Sequence, residues 1–260
     1  MLTTNTIISA IGMILLPLVL GYFIANNFKR TFKDFRKLFI AGALTFIASQ
    51  VLHIPFLYGL TAMFKNGTLP SPPESWSLIF NAVLLGLLAG IFEETARYIL
   101  FKYITKNSRT WEDGITIGLG HGGIEAIILG ILTITTLVQM IAMKDITALS
   151  ALGLPADQLE IAKTQVTAYW AQSSVIPFFG FIERSSAICL HLGLSVLVMY
   201  SIVSGQRKWF WFALLWHAFV DALAVYLYPQ ITAGTNVVLG TLGLETLVAI
   251  LAVGLLIYAL

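Results

Sequence analysis

The sequence predicts an all-α, polytopic membrane protein with seven transmembrane helices, its N-terminus outside and its C-terminus cytoplasmic. Hydrophobic residues make up 58% of the 260 positions and charged residues only 11%, with a mean hydropathy of +0.86. A soluble domain could not hide that much apolar surface. Seven windows are each long and apolar enough to cross a bilayer, for which about 20 residues suffice. Polar and proline-rich stretches fall between the windows.

In order, the windows are 6–25, 38–60, 76–104, 114–140, 175–203, 209–228 and 233–259. The first, TIISAIGMILLPLVLGYFIA, lacks the basic start and small-residue cleavage site of a signal peptide, so it reads as a retained helix. The second carries His53 beside Pro55, which suggests an interfacial histidine at an outer helix end. NGTLPSPPES, at 66–75, is a proline-rich loop leading to the third window. The fourth contains GLGHGGIEA, whose glycines allow close approach of neighbouring helices. A longer polar connection at 142–172 holds DQLEIAKTQVTAYW, which has the helical spacing of an amphipathic surface segment. The lone Cys189 lies in an apolar run and excludes a disulfide framework. SGQRK, at 204–208, is a tight turn before the sixth window, and Trp76, Trp209 and Trp211 suit aromatic belts. No internal repeat, low-complexity tract or second domain stands out. One integral-membrane domain, 1–260, is expected, with a core at about 76–225.

Orientation follows from the Lys/Arg bias of short loops. Lys29, Arg30, Lys33, Arg36 and Lys37 follow the first helix, Lys102, Lys106 and Arg109 the third, and Arg207 and Lys208 the fifth. The other side holds only Lys65, Lys144 and Lys163. The even-numbered ends thus face outward and the basic loops face the cytoplasm.

Counting residues from that side gives depth. Glu94 lies roughly 15 Å in, His121 and Glu125 roughly 10 and 16 Å, His191 roughly 18 Å, and His217 and Asp221 roughly 12 and 18 Å, at 1.5 Å per residue. Four helices therefore bring polar groups to one layer in the cytoplasmic half of the bilayer. Within each helix the spacing is i,i+3 or i,i+4, as in Glu93/Glu94/Arg97, His121/Glu125, Glu183/Ala187/His191 and His217/Asp221, so each helix has one polar stripe. Such stripes face protein or a wet cavity rather than lipid. Taken singly, each has a structural reading: a Glu–Arg ion pair fixing register, a His–Glu hydrogen bond, a core histidine, or a structural Arg184–Glu245 pair.

Together they are harder to dismiss. Glu93, Glu94, Glu125, Glu183, Asp221 and Glu245 face only Arg97 and Arg184. A central membrane charge costs about 2.5–3.5 kcal/mol even on the low insertion scale. Either several of these acids are neutral or a further cation sits among them. His121, His191 and His217 at one depth are candidate metal ligands, and three ligands plus an open water position is the catalytic zinc pattern. No HExxH motif is present.

The ordered set EETAR, GLGHGGIEA, HLGLS and HAFVD resembles the PrsW/YhfC-type intramembrane proteases, the YhfC type most closely. These are related to the type II CAAX prenyl proteases. The resemblance spans about residues 76–225. It implies a metal-dependent endopeptidase in which a Glu pair, here Glu93 and Glu94, and the histidines His121, His191 and His217 activate water against a peptide bond. Arg97 would be the counter-ion of the Glu pair, with Glu125 orienting His121 and Asp221 orienting His217. The implied cofactor is a divalent metal, zinc by ligand type, and the implied partner is a membrane-embedded or membrane-associated polypeptide. The lipid bilayer is the setting, and no nucleic acid is expected. Two departures stand out: Arg follows the Glu pair after two residues rather than the three of the CAAX branch, and the later position is Asp221 rather than Asn, which removes an amide donor that could stabilise an oxyanion. The superfamily is also similar to the non-catalytic seven-helix scaffold subunit of gamma-secretase, so a scaffold using the same polar cavity is the alternative. An ion- or proton-coupled transporter is disfavoured by the lack of an inverted repeat or paired broken helices.

The Lys/Arg asymmetry makes a direct prediction. A reporter fused after Lys208 should be cytoplasmic and one inserted at Pro72 external. Both reporters on the same side would contradict this topology.

Overall fold

The computed structural model of the chain describes residues 1–28, 32, 34–144, 153 and 155–260. The basic cluster's Lys29, Arg30 and Lys33 lie outside the described residues. The described residues form eight α-helices and no strand. They are α1 (Leu2–Asn27), α2 (Phe35–Lys65), α3 (Glu74–Ile99), α4 (Trp111–Ala142), α5 (Ala156–Ala171), α6 (Ile176–Val203), α7 (Lys208–Thr232) and α8 (Val237–Ala259). All except α5 are long and apolar enough to span a membrane. The chain is thus a multi-pass integral membrane protein, and α5 occupies the amphipathic stretch expected between the fourth and fifth spans.

Helix boundaries follow local chemistry. Thr110 starts α4 with a capping box, its side chain accepting from the Asp113 amide while the Asp113 carboxylate accepts from the Thr110 amide at 3.1 Å. The final span begins at Val237 rather than 233, because the Asn236 side chain caps it by accepting from the Leu239 amide at 3.1 Å. Helix α3 runs straight into a π-helical turn, Leu100–Ile104, closed by the Thr105 amide donating to the Leu100 carbonyl at 2.8 Å. Leu100 and Phe101 on that turn are buried. Such wide turns lie often beside functional sites.

Helix α3 packs most extensively against α7, α2 against α4, α6 against α8, and α4 against both α6 and α1. Small residues set these approaches, as they do where lipid offers no hydrophobic drive between helices. A Cβ at Gly86 would stand 2.3 Å from the Ala218 carbonyl oxygen, and one at Gly118 would stand 2.6 Å from that of His191. The α3–α7 and α4–α6 backbones therefore nearly touch at the depth of the polar stripes. Apolar packing around Leu194, Val198, Ala213 and Ala252 fills the space between α6, α7 and α8.

His53 differs from its expected interfacial position. Helix α2 continues through Pro55 to Lys65, which leaves His53 about three turns from the helix end. Its ring stacks on Phe92 at 5.1 Å, and neither nitrogen has a hydrogen-bond partner among the described residues.

Close packing at Gly86 has a measurable consequence. Gly86→Val should lower the thermal unfolding midpoint in detergent, at a cost of about 1–3 kcal/mol from overpacking. Gly59, with nothing within 4 Å of its virtual Cβ, should accept alanine without loss.

Candidate active site

Helix α3 delivers Glu93, Glu94 and Arg97 to the interior as one stripe, with Glu94 and Arg97 fully buried. Helix α4 adds His121 and Glu125, α6 adds His191 with Glu183 and Arg184, and α7 adds His217 and Asp221. The His121 and His191 rings are 4.9 Å apart, and those of His191 and His217 are 5.4 Å apart. The residues singled out by sequence thus converge from four helices.

Arg97 is the hub. One Nη donates to Glu94 Oε1 in a close ion pair, and the other lies 2.6 Å from His191 Nδ1 and 3.7 Å from Glu93 Oε2. Guanidinium only donates, so His191 Nδ1 accepts and its proton sits on Nε2. That Nε2 donates to Glu125 Oε2 at 2.7 Å. Glu125 also receives Arg184 Nη1 at 2.6 Å, and Arg184 is paired again with Glu183. On the other side, His217 Nδ1 donates to Glu94 Oε1 at 2.7 Å. His217 Nε2 lies 3.4 Å from Asp221 Oδ2 and 3.9 Å from Glu93 Oε2.

Three expected pairings change. Glu125 holds His191 on α6, not His121 on its own helix, because α6 offers it both a guanidinium and an imidazole N–H. His217 Nδ1 is held by Glu94, which leaves Asp221 beside the other nitrogen. Arg184 pairs with Glu125 and Glu183 and makes no ion pair with Glu245.

The structure adds Gln50 to the site, which the sequence reading missed. It sits on α2, and its Nε2 donates to Glu93 Oε1 at 3.0 Å. A lone amide in the apolar stretch FIASQVLHI was the available signal. The opposite Glu93 oxygen meets His121 Nε2 at 3.0 Å. Glu93 is thus held from both sides, by α2 and by α4.

The fit to a metal can be judged from the donors. Glu93, His191 and His217 each offer one ligand atom, all within 4.8 Å of one another and all buried. A carboxylate with two imidazoles is a catalytic zinc-type set. Bonds of about 2.0–2.2 Å allow donors up to about 4 Å apart, so the three need close by only about 1 Å. His191 has both nitrogens engaged and would exchange its Arg97 contact for the metal. His121 lies behind Glu93 rather than in this donor group. The set fits in chemistry and in spacing.

These groups border a cavity of about 80 Å³, lined by Glu93, Glu125, His191, His217 and Asp221 among others. That is room for several water molecules. Glu94 does not line it.

A multi-pass membrane bundle with buried carboxylates, imidazoles and a water-sized cavity in its interior defines the class: an intramembrane protein built around a polar, metal-competent centre. The chain belongs to the YhfC intramembrane metalloprotease family, whose pattern it matches over residues 12–242. It is 32% identical over 204 residues to the uncharacterized membrane protein YhfC of Bacillus subtilis (strain 168), covering 76% of each chain. No solved structure matches it.

The two glutamates should behave differently on substitution. Glu94→Gln strips fully buried Arg97 of its closest counter-charge and should cost about 3–5 kcal/mol of stability. Glu93→Gln leaves the Arg97–Glu94 pair intact and should unfold within a few degrees of the native protein. Thermal unfolding of the two variants in the same detergent checks the order.

Proposed function

We propose that the chain is an intramembrane metal-dependent endopeptidase that hydrolyses a peptide bond of a membrane-embedded or membrane-associated polypeptide. Membership of the family supports the class. The observation that carries the residue-level reading is the convergence of Glu93, His191 and His217 on one water-sized cavity.

In this reading Glu93, not Glu94, is the general base, because Glu93 borders the cavity while Glu94 is committed to Arg97 and His217. Water in the cavity attacks the peptide carbonyl carbon, and Glu93 takes its proton. The proton then passes to the leaving nitrogen as the C–N bond breaks, which gives a carboxylate end and an amine end. Gln50 and His121 fix the Glu93 carboxylate, so no reorganisation is needed at the moment of attack. Glu94 orients His217 and Glu125 orients His191, the carboxylate–histidine arrangement that steers an imidazole lone pair toward a metal. The residues that would hold a divalent metal, zinc by donor type, are His191, His217 and an oxygen of Glu93, and the metal would supply Lewis-acid polarisation of the carbonyl. Arg97 supports the centre by holding Glu94 and, in the metal's absence, His191. With the N-terminus outside, as the Lys/Arg bias requires, this chemistry lies in the cytoplasmic half of the bilayer.

The experiment pairs turnover with metal content, using a membrane-inserted peptide reporter. Glu93→Gln keeps a ligating oxygen but cannot accept a proton, so cleavage should fall by about 10²–10⁴-fold with bound metal retained. His217→Ala should lose both cleavage and metal. Unchanged cleavage in a correctly inserted Glu93→Gln protein would exclude this mechanism and favour a scaffold, which needs no base.

A further inference from the structure

Glu245, on α8, is the intramembrane acid that the ion-pair network leaves out. Both intramembrane arginines are engaged elsewhere, Arg97 with Glu94 and Arg184 with Glu125 and Glu183. Glu245 is only 7% exposed, and its Oε2 has no hydrogen-bond partner among the described residues. An unpartnered carboxyl in an apolar setting is costly, and intramembrane acids of this kind mark ligand or ion paths.

Two cavities meet at this residue. The smaller is the water-sized cavity of the site. The larger, of about 780 Å³, lies between α1, α4, α5, α6, α7 and α8. Glu183, Ala224, Leu244 and Glu245 line both. The larger is in the size range of sites that enclose organic ligands. Its wall is largely apolar, with Met13, Phe179 and Val225, and it reaches Gln172 and Thr232 at the helix ends opposite the basic loops.

We propose that the larger cavity receives an extended substrate segment and that Glu245 recognises a basic side chain, Lys or Arg, next to the bond presented to Glu93. The apolar wall suits the apolar side chains of a membrane segment. No protein cation lies within 4.0 Å of Glu245 among the described residues, so a basic side chain on the occupant would be its first ion-pair partner. Arg184 is paired with two carboxylates of its own and offsets Glu245 only in part, so the shared wall carries more acids than bases and favours a basic side chain over an acidic one. Calling the occupant a substrate rests on the peptidase reading; recognition of a basic side chain does not.

The test uses purified full-length protein in detergent micelles and fluorescent Leu/Ala-rich peptides of about 20 residues, a bilayer-spanning length, that differ only in one central Lys or Gln. The Lys peptide should bind about tenfold more tightly or better, the scale of a desolvated charge pair. Glu245→Gln should bring the ratio close to one while the unfolding midpoint stays put, and Glu245→Asp should keep part of the preference. Equal binding of both peptides by the native protein, no binding of either, or an undiminished preference in Glu245→Gln would overturn the proposal. Cleavage is followed in the same samples. Lys-selective binding without cleavage counts against the peptidase reading alone, and cleavage without Lys preference counts against this recognition alone.

Discussion

The buried Arg97 guanidinium is the constraint on which the rest of this structure depends. A charge with no solvent exposure in a membrane bundle persists only with partners, and its partners come from three helices: Glu94 and Glu93 on its own helix α3, His191 on α6, and His217 through Glu94 on α7. Removing the Glu94 carboxylate would leave an uncompensated charge at low dielectric. The guanidinium therefore ties α3, α6 and α7 to a single register. Because guanidinium cannot accept a hydrogen bond, it also sets the tautomer of His191 and points the Nε2 proton of that ring at Glu125.

Such polar groups meet only because the backbones carrying them come close. Gly86 and Gly90 let α3 lie against α7, and Gly114, Gly118 and Gly122 do the same for α4 against α6. The side chains that cross those seams are short of space but well supplied with partners. The result is a chain of contacts from Glu183 through Arg184, Glu125, His191, Arg97 and Glu94 to His217. Each carboxylate along it lies against at least one base, and the one base-to-base contact, Arg97 to His191, is a guanidinium donating to a neutral imidazole, so each charge is screened by its neighbours rather than by water.

An arrangement of this kind suits the proposed hydrolysis because its groups already hold one another in place. Glu93 is held by Gln50 and His121 on one side of the cavity, and His217 is held by Glu94 on the other. In a water-poor interior, oriented groups act on developing charge more strongly than they would in solvent. The two neighbouring glutamates have consequently separate tasks. Glu94 anchors the arginine, and Glu93 faces the cavity. Adjacent positions on a helix point about 100° apart, which is why a Glu-Glu pair cannot put both carboxylates to one use.

The sequence by itself determined the seven spans, the extra helix before the fifth, and most of the polar residues that meet inside the bundle. Hydrophobic length decides which segments cross a bilayer, and helical spacing decides which polar residues share a face, so both are local properties readable in one dimension. The sequence also supplied the family, since EETAR, GLGHGGIEA, HLGLS and HAFVD are contiguous motifs. Only the tertiary structure decided the pairings. Glu125 turns from His121 to His191, Arg184 turns from Glu245 to Glu125 and Glu183, and Gln50 reaches Glu93 across forty-three positions of chain. His53, expected near a helix end beside Pro55, instead lies well inside α2. The reason is the same each time. Buried ionic and hydrogen-bonding groups choose the nearest partner that satisfies them in space, and which helices stand side by side is not written into any one helix.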